Sequence, residues 1–156
     1  MSVTRILTAV LFIVCALPAT GQQTHVVNAE ARIFNPDVIY VQPGEYVKFV
    51  NMTSHDTVSI NKVPLPDGKI FEGMLPEGAE GWKSGMGNNI TFQLDIEGVY
   101  PYVCIPHIGF GMVGVVVVGE PVNIDTAMES AKANLTGPYR RLIGKLLKVQ
   151  RAAKKG

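Results

Sequence analysis

The sequence predicts a mainly β protein, a sandwich of short strands followed by two C-terminal α-helices. Three observations predict it. Short runs of β-branched and aromatic residues recur between Gly- and Pro-containing turns from residue 38 to residue 118. One stretch alternates strictly, with Ile90, Phe92, Leu94 and Ile96 separated by Thr91, Gln93 and Asp95. After residue 122 the apolar spacing lengthens to that of a helix. A chain of 156 residues, 47% hydrophobic and 17% charged, suits one domain with its own core and is not a disordered polyelectrolyte.

Taken in order, residues 1–21 read as a secretory signal peptide. Arg5 is the only charge before Glu30, and the apolar run 6–17 behind it is too short to span a bilayer comfortably. Pro18-Ala19-Thr20-Gly21 then offers cleavage after Ala19 or Gly21. Lipidation of Cys15 is disfavoured because bulky Val14 precedes it. Removal of this segment leaves Cys104 as the lone cysteine, which excludes an internal disulfide, and leaves no second apolar run long enough for stable membrane insertion.

Residues 22–121 carry the expected strands. Runs at 38–41 and 46–51 flank the turn signal Gln42-Pro43-Gly44-Glu45. Another run covers 57–60, the alternating stretch 90–96 marks a half-buried strand, and 100–104 and 112–118 read as two more. The run Val115-Val116-Val117-Val118 suits a strand covered on both faces. Residues 61–89, rich in Gly and Pro, read as an extended connection, with 61–73 near the site end. His25 fits no pattern.

Residues 122–156 form the helical extension. A modest helix is expected at 125–133. A longer one follows Gly137-Pro138, with Thr136 as its cap and Tyr139, Leu142, Ile143, Leu146 and Val149 at helical spacing. Its basic face could meet a membrane or a partner, but packing of the apolar stripe on the sandwich is the expectation. Charge is sharply divided: 22–131 holds thirteen acids and five bases, a net of −8, whereas 132–156 holds eight bases and no acid. The net charge of +1 for the whole chain argues against a general nucleic-acid binder.

The chemistry gathers around Cys104-Ile-Pro-His107-Ile-Gly-Phe-Gly-Met112, with His55 upstream. Two imidazoles and a thiolate with a weak axial thioether are the donor set of a type 1 copper electron-transfer site. A cysteine ending one strand and a methionine starting the next leave a short loop that can fold His107 onto the same metal, while His55 closes the site from elsewhere. Zinc would want another nitrogen, oxygen or thiolate ligand, covalent haem a second cysteine, and a Cys104–His107 nucleophilic pair an orienting third group.

These residues resemble the cupredoxins, and among them the pseudoazurins. The resemblance spans about residues 25–150 and rests on the Cys-x2-His-x4-Met loop, Phe34-Asn-Pro36, the stretch 42–50, Leu75-Pro-Glu-Gly-Ala-Glu80 with Lys83-Ser84, and Val118-Gly-Glu-Pro121 with Asn123-Ile-Asp125 and Ser130-Ala-Lys132 in the tail. It implies a Greek-key sandwich of about eight strands holding one type 1 copper through His55, Cys104, His107 and Met112. It implies no enzyme, but a periplasmic, monomeric one-electron shuttle. Partners such as nitrite reductase, a c-type cytochrome or another periplasmic oxidoreductase would dock transiently at His107, on a patch of Pro106, Ile108, Gly109 and Phe110. A copper-delivery protein using the same ligands, and a copper-independent interaction module, are the other readings. Two positions next to the ligands depart from the family. Asp56 stands where an asparagine usually braces the loop, and Ile105 where pseudoazurins commonly have threonine. A buried carboxylate without that hydroxyl is costly if charged. Only Lys62, Lys69 and Lys83 represent the lysines with which relatives often surround the port.

Overall fold

The structure, a computed structural model, describes residues 22–64 and 70–155. The expected signal peptide (1–21) lies outside the described residues, as do Pro66, Asp67, Gly68 and Lys69 of the expected connection. Ten strands are described: β1 Thr24–Glu30, β2 Ile33–Asn35, β3 Val38–Val41, β4 Tyr46–Val50, β5 Val58–Ser59, β6 Lys62–Pro64, β7 Ile70–Glu72, β8 Ile90–Gln93, β9 Gly98–Val103 and β10 Val113–Val118. Eight of them build two four-stranded sheets, ordered β2-β1-β4-β8 and β3-β10-β9-β5. The pairs β1–β4 and β3–β10 are parallel and the other pairs antiparallel. Helices α1 Ile124–Asn134 and α2 Arg141–Ala153 follow. The mainly β sandwich with two C-terminal helices is the expected fold.

Several details differ from the expectation. The connection 61–89 contains the hairpin β6–β7. Strands β1 and β2 were not anticipated, because the hydropathy of β1 does not follow its alternating burial: polar His25 lies on the inner side and apolar Val26 on the outer. The alternation 90–96 outruns its strand: β8 ends at Gln93, and the Leu94 carbonyl accepts the Gly44 N–H at 3.1 Å instead of continuing a ladder. The turn 42–45 carries the chain from one sheet to the other. It is held by Glu45, whose carboxylate accepts the Gln42 N–H at 2.7 Å and meets His25 Nε2 at 2.7 Å. His25 is therefore a clasp between β1 and this turn.

Two apolar layers result. Val27, Phe34, Val47, Phe49, Tyr102 and Val116 fill the space between the sheets, while Val99, Val103, Val113, Val115 and Val117 face the helices. Strand β10 is buried at every residue because it lies between β3 and β9 and is covered on both faces. This explains its unbroken valine run. Helix α2 packs on β10 through Leu142, Leu146 and Val149, all essentially inaccessible; each such side chain is worth about 1.5–3 kcal/mol of burial. The helix starts later than its periodicity suggests: Tyr139 belongs to a 3-10 turn, Gly137–Arg140, and exposed Thr136 makes no side-chain capping bond. Asn123 fixes the start of α1, its side-chain Oδ1 accepting the Val99 N–H at 2.7 Å while its Nδ2 donates to the Met74 and Val99 carbonyls.

Asp37, just before β3, receives Lys145 and Lys148 from α2. Partial burial pushes its carboxyl up, but the two ammonium groups outweigh that and hold it below the usual value of 3.8. A depressed folded pKa stabilises the fold above the unfolded value and loses that contribution as pH falls through the folded one. Acid titration of stability should therefore show a loss beginning near pH 4 that is smaller in Asp37→Asn, read by thermal melting of both proteins.

Tyr102 packs edge-on to Phe34 and Phe49, with ring centroids 4.9 and 5.1 Å apart, and its buried hydroxyl has no hydrogen-bond partner among the described residues. Tyr102→Phe should leave stability unchanged or raise it by up to about 1 kcal/mol in urea unfolding; a clear loss would reveal a partner for the hydroxyl.

Candidate metal centre

The site lies at the end of the sandwich where β9 passes into β10. The Cys104 N–H donates to the Met112 carbonyl at 3.0 Å, one step beyond the last ladder pair, Val103 with Val113. Between them the chain makes a short 3-10 turn, Ile108–Phe110, with His107 at its cap. The turn is closed by Gly111 at φ 75°, a left-handed conformation that glycine adopts without strain. This geometry brings His107 back over Cys104, its Nδ1 3.4 Å from the sulfur.

His55 arrives from the segment after β4. Its N–H donates to the Met52 carbonyl at 2.8 Å, and its own carbonyl accepts the Gly87 N–H at 2.9 Å. Just beyond, Thr57 and Ser84 exchange two bonds of 2.9 Å, and Trp82 Nε1 donates to the Thr57 hydroxyl at 3.1 Å. So clamped, His55 places Nδ1 3.7 Å from the Cys104 sulfur. One donor atom each from His55, Cys104 and His107 lie within 4.8 Å of one another, the two rings 4.6 Å apart between centroids. Bonds of about 2.0–2.3 Å to a first-row metal, at tetrahedral to trigonal angles, separate sulfur and nitrogen donors by about 3.5–3.9 Å. The observed spacings fit one such ion. Met112 is fully buried in the same inner layer as Cys104.

The family described as copper binding proteins, plastocyanin/azurin family, matches residues 22–119. The chain belongs to that family. Among curated relatives of this cupredoxin, the pseudoazurin of Paracoccus pantotrophus is 33% identical over 114 residues, covering 70% of this chain and 71% of the relative. That of Methylorubrum extorquens is 30% identical over 132 residues, covering 81% and 82%. The crystal structure of native pseudoazurin from Hyphomicrobium denitrificans superposes with a TM-score of 0.64 at 32% identity, covering 81% of this chain and 98% of that one. Copper is thus the metal for which the cupredoxin's donors are assembled.

Electrostatics favour the neutral form of His55 and leave the buried Cys104 thiol without a counter-charge among the described residues. Burial, reinforced by the nearby His107, holds His55 below its usual value, with the Asp56 carboxylate opposing. Burial pushes the Cys104 thiol up; the backbone amides of Asp56 and His107 favour the thiolate, and the Asp56 charge disfavours it. A bound cation reverses this balance, since a coordinating thiol is deprotonated outright.

The two positions that depart from the family meet each other. Asp56 is 7% exposed, and its Oδ1 accepts the Ile105 N–H at 2.7 Å, so the carboxylate itself braces the ligand loop. The Ile105 side chain points away, 46% exposed. Pro106, Gly109 and Phe110 are exposed around half-exposed His107, whereas Ile108 is half-buried against the layer beneath the helices. Met86, 57% exposed and adjacent to the Gly87 that holds His55, shares this end of the molecule. Its only sequence signal is an apolar residue between two glycines.

Asp56→Ala removes the acceptor of the Ile105 N–H, whereas Asp56→Asn keeps an oxygen there. The alanine variant should lose about 1–3 kcal/mol in urea unfolding and bind copper less tightly, and the asparagine variant should retain both properties near wild type. Equal losses in the two variants would show that the brace needs the charge.

Proposed function

We propose that this chain is a periplasmic type 1 copper protein that carries single electrons between redox proteins, with His55, Cys104, His107 and Met112 holding the metal. The observation that carries this reading is the gathering of one thiol and two imidazoles, one of them the half-exposed His107, at an apolar end of the molecule. When bound, copper supplies a one-electron couple between Cu(II) and Cu(I). The protein's residues do the rest. The soft sulfur of Cys104 and the nitrogens of His55 and His107 would hold the ion strongly, and the buried thioether of Met112 would bind it weakly. The clamps on His55 and the loop closure at Met112 hold the donors in one arrangement for both charge states. Cys104 and Met112 belong to the buried inner layer that includes Met52 and Phe49, which would limit water at the metal and tune its potential.

His107 is the electron port in this reading. Pro106, Gly109 and Phe110 surround it as a docking surface, extended by Ile105 and Met86 and supported from beneath by Ile108. Such a carrier transforms no substrate, acts as a monomer and meets its partners transiently. The signal peptide read from residues 1–21 supports the periplasmic location, and among the described residues no helix is long and apolar enough to cross a membrane.

The copper-loaded chain processed after residue 21 should be intensely blue and exchange electrons rapidly with a reduced c-type cytochrome used as probe. Cys104→Ser should lose the colour. A colourless loaded protein overturns the assignment; transfer of copper to an acceptor without electron exchange replaces it with copper delivery.

A further inference from the structure

A groove of about 890 Å³ runs beside the ligand loop, between α2, the Asn35-Pro36-Asp37 segment and Phe110-Gly111. Its wall carries Arg140, Arg141, Lys145 and Lys148; the single acid, Asp37, pairs with both lysines, so the lining keeps an excess of positive charge. Phe110 forms its edge toward the port, 47% exposed, with the Arg32 guanidinium 3.8 Å over the ring. Gly144 lies on the floor and is shared with a smaller basic depression further along α2.

Gly144 is the fourth residue of α2, where glycine costs up to about 0.8–1 kcal/mol relative to alanine. Nothing lies within 4 Å of where a side chain would project, so crowding does not demand glycine here. Its effect is to keep the groove open. Cations on a concave wall focus their field into the cavity, and arginine beside an exposed aromatic is the composition of binding hot spots. The opposite end of the sandwich is acidic: Glu97 and Glu120 flank the far ends of β9 and β10, and Asp95 and Glu80 line a depression near them. Strands of six residues place that end about 20 Å away.

We propose that this groove seats an acidic, extended segment of the redox partner, laid along α2 with one end against Phe110 and so beside His107. The identity of the partner rests on the electron-carrier reading; the chemistry of the groove does not. A lipid surface is flat and would touch only the rim, whereas the concavity suits an inserted chain.

The test is binding of a fluorescent oligoglutamate peptide to the copper-loaded full chain, followed by anisotropy, with oligoglutamine as control. Oligoglutamate should bind and weaken with salt, and oligoglutamine should not bind. Gly144→Leu fills the groove with a better helix former, so melting should show the fold intact while binding weakens at least about tenfold. Arg140→Gln with Lys148→Gln should weaken it likewise without loss of the blue colour. Oligoglutamate binding that ignores both variants, or binding only to phosphatidylglycerol vesicles, overturns the proposal. A blue protein that ignores the peptide sinks the groove alone; a colourless protein that binds it sinks the carrier reading alone.

Discussion

The backbone bond from the Cys104 N–H to the Met112 carbonyl, 3.0 Å long, is the contact on which the site depends. It extends the β9–β10 ladder by one step and converts the intervening residues into a closed loop. Both strands are buried along their whole length, so the two ends of the loop cannot drift apart without opening two apolar layers. Cys104 and Met112 are therefore set by sheet register. His107 then follows from the 3-10 turn and the left-handed Gly111. A centre built on two central strands is stiff, which suits the proposed change of charge without rearrangement.

His55 comes from a different part of the chain, and its placement depends on a second fastening. Segment 82–87 holds residues 55–57, and Asp56 reaches across to the ligand loop. One buried carboxylate links the two halves of the donor set. Its charge works against the Cys104 thiolate through space while its own backbone amide works for it. The replacement of an amide by a carboxylate thus keeps the mechanical brace and alters the field at the sulfur.

The legible parts of the sequence were those in which one physical demand dominates. The valines of β10 are apolar without interruption because both faces are covered, and the Cys-x2-His-x4-Met spacing is short enough to name its own loop. The apolar stripe of α2 announced its packing. Less was legible where several weak demands compete. Strand β1 pairs with β2 and β4 yet buries few residues fully, so its pattern is diluted. The hairpin β6–β7 lies outside the two main sheets and leaves little apolar signature. The turn at 42–45 was recognisable from Pro43 and Gly44, but nothing local says that it changes sheets. Met86 reaches the His107 end of the molecule only because the chain folds Gly87 against His55.

The division of charge was visible as numbers, but its meaning depends on the path of the helices. Had α2 ended at the copper end rather than started there, Lys154 and Lys155 would have bordered the port. Instead α1 leads the chain toward the copper end, so that Arg140 and Arg141 lie beside Phe110 and Gly111. Charge acts over about a Debye length of 8–10 Å at ordinary salt, and chiefly raises the rate of encounter and sets its orientation. The small apolar surface around His107 acts only in contact and leaves dissociation fast. In the proposed electron-carrier role, a chain that must meet one protein and then leave for another needs both properties. Placing cations at one side of the port, rather than packing more apolar area around it, satisfies both without tightening the complex.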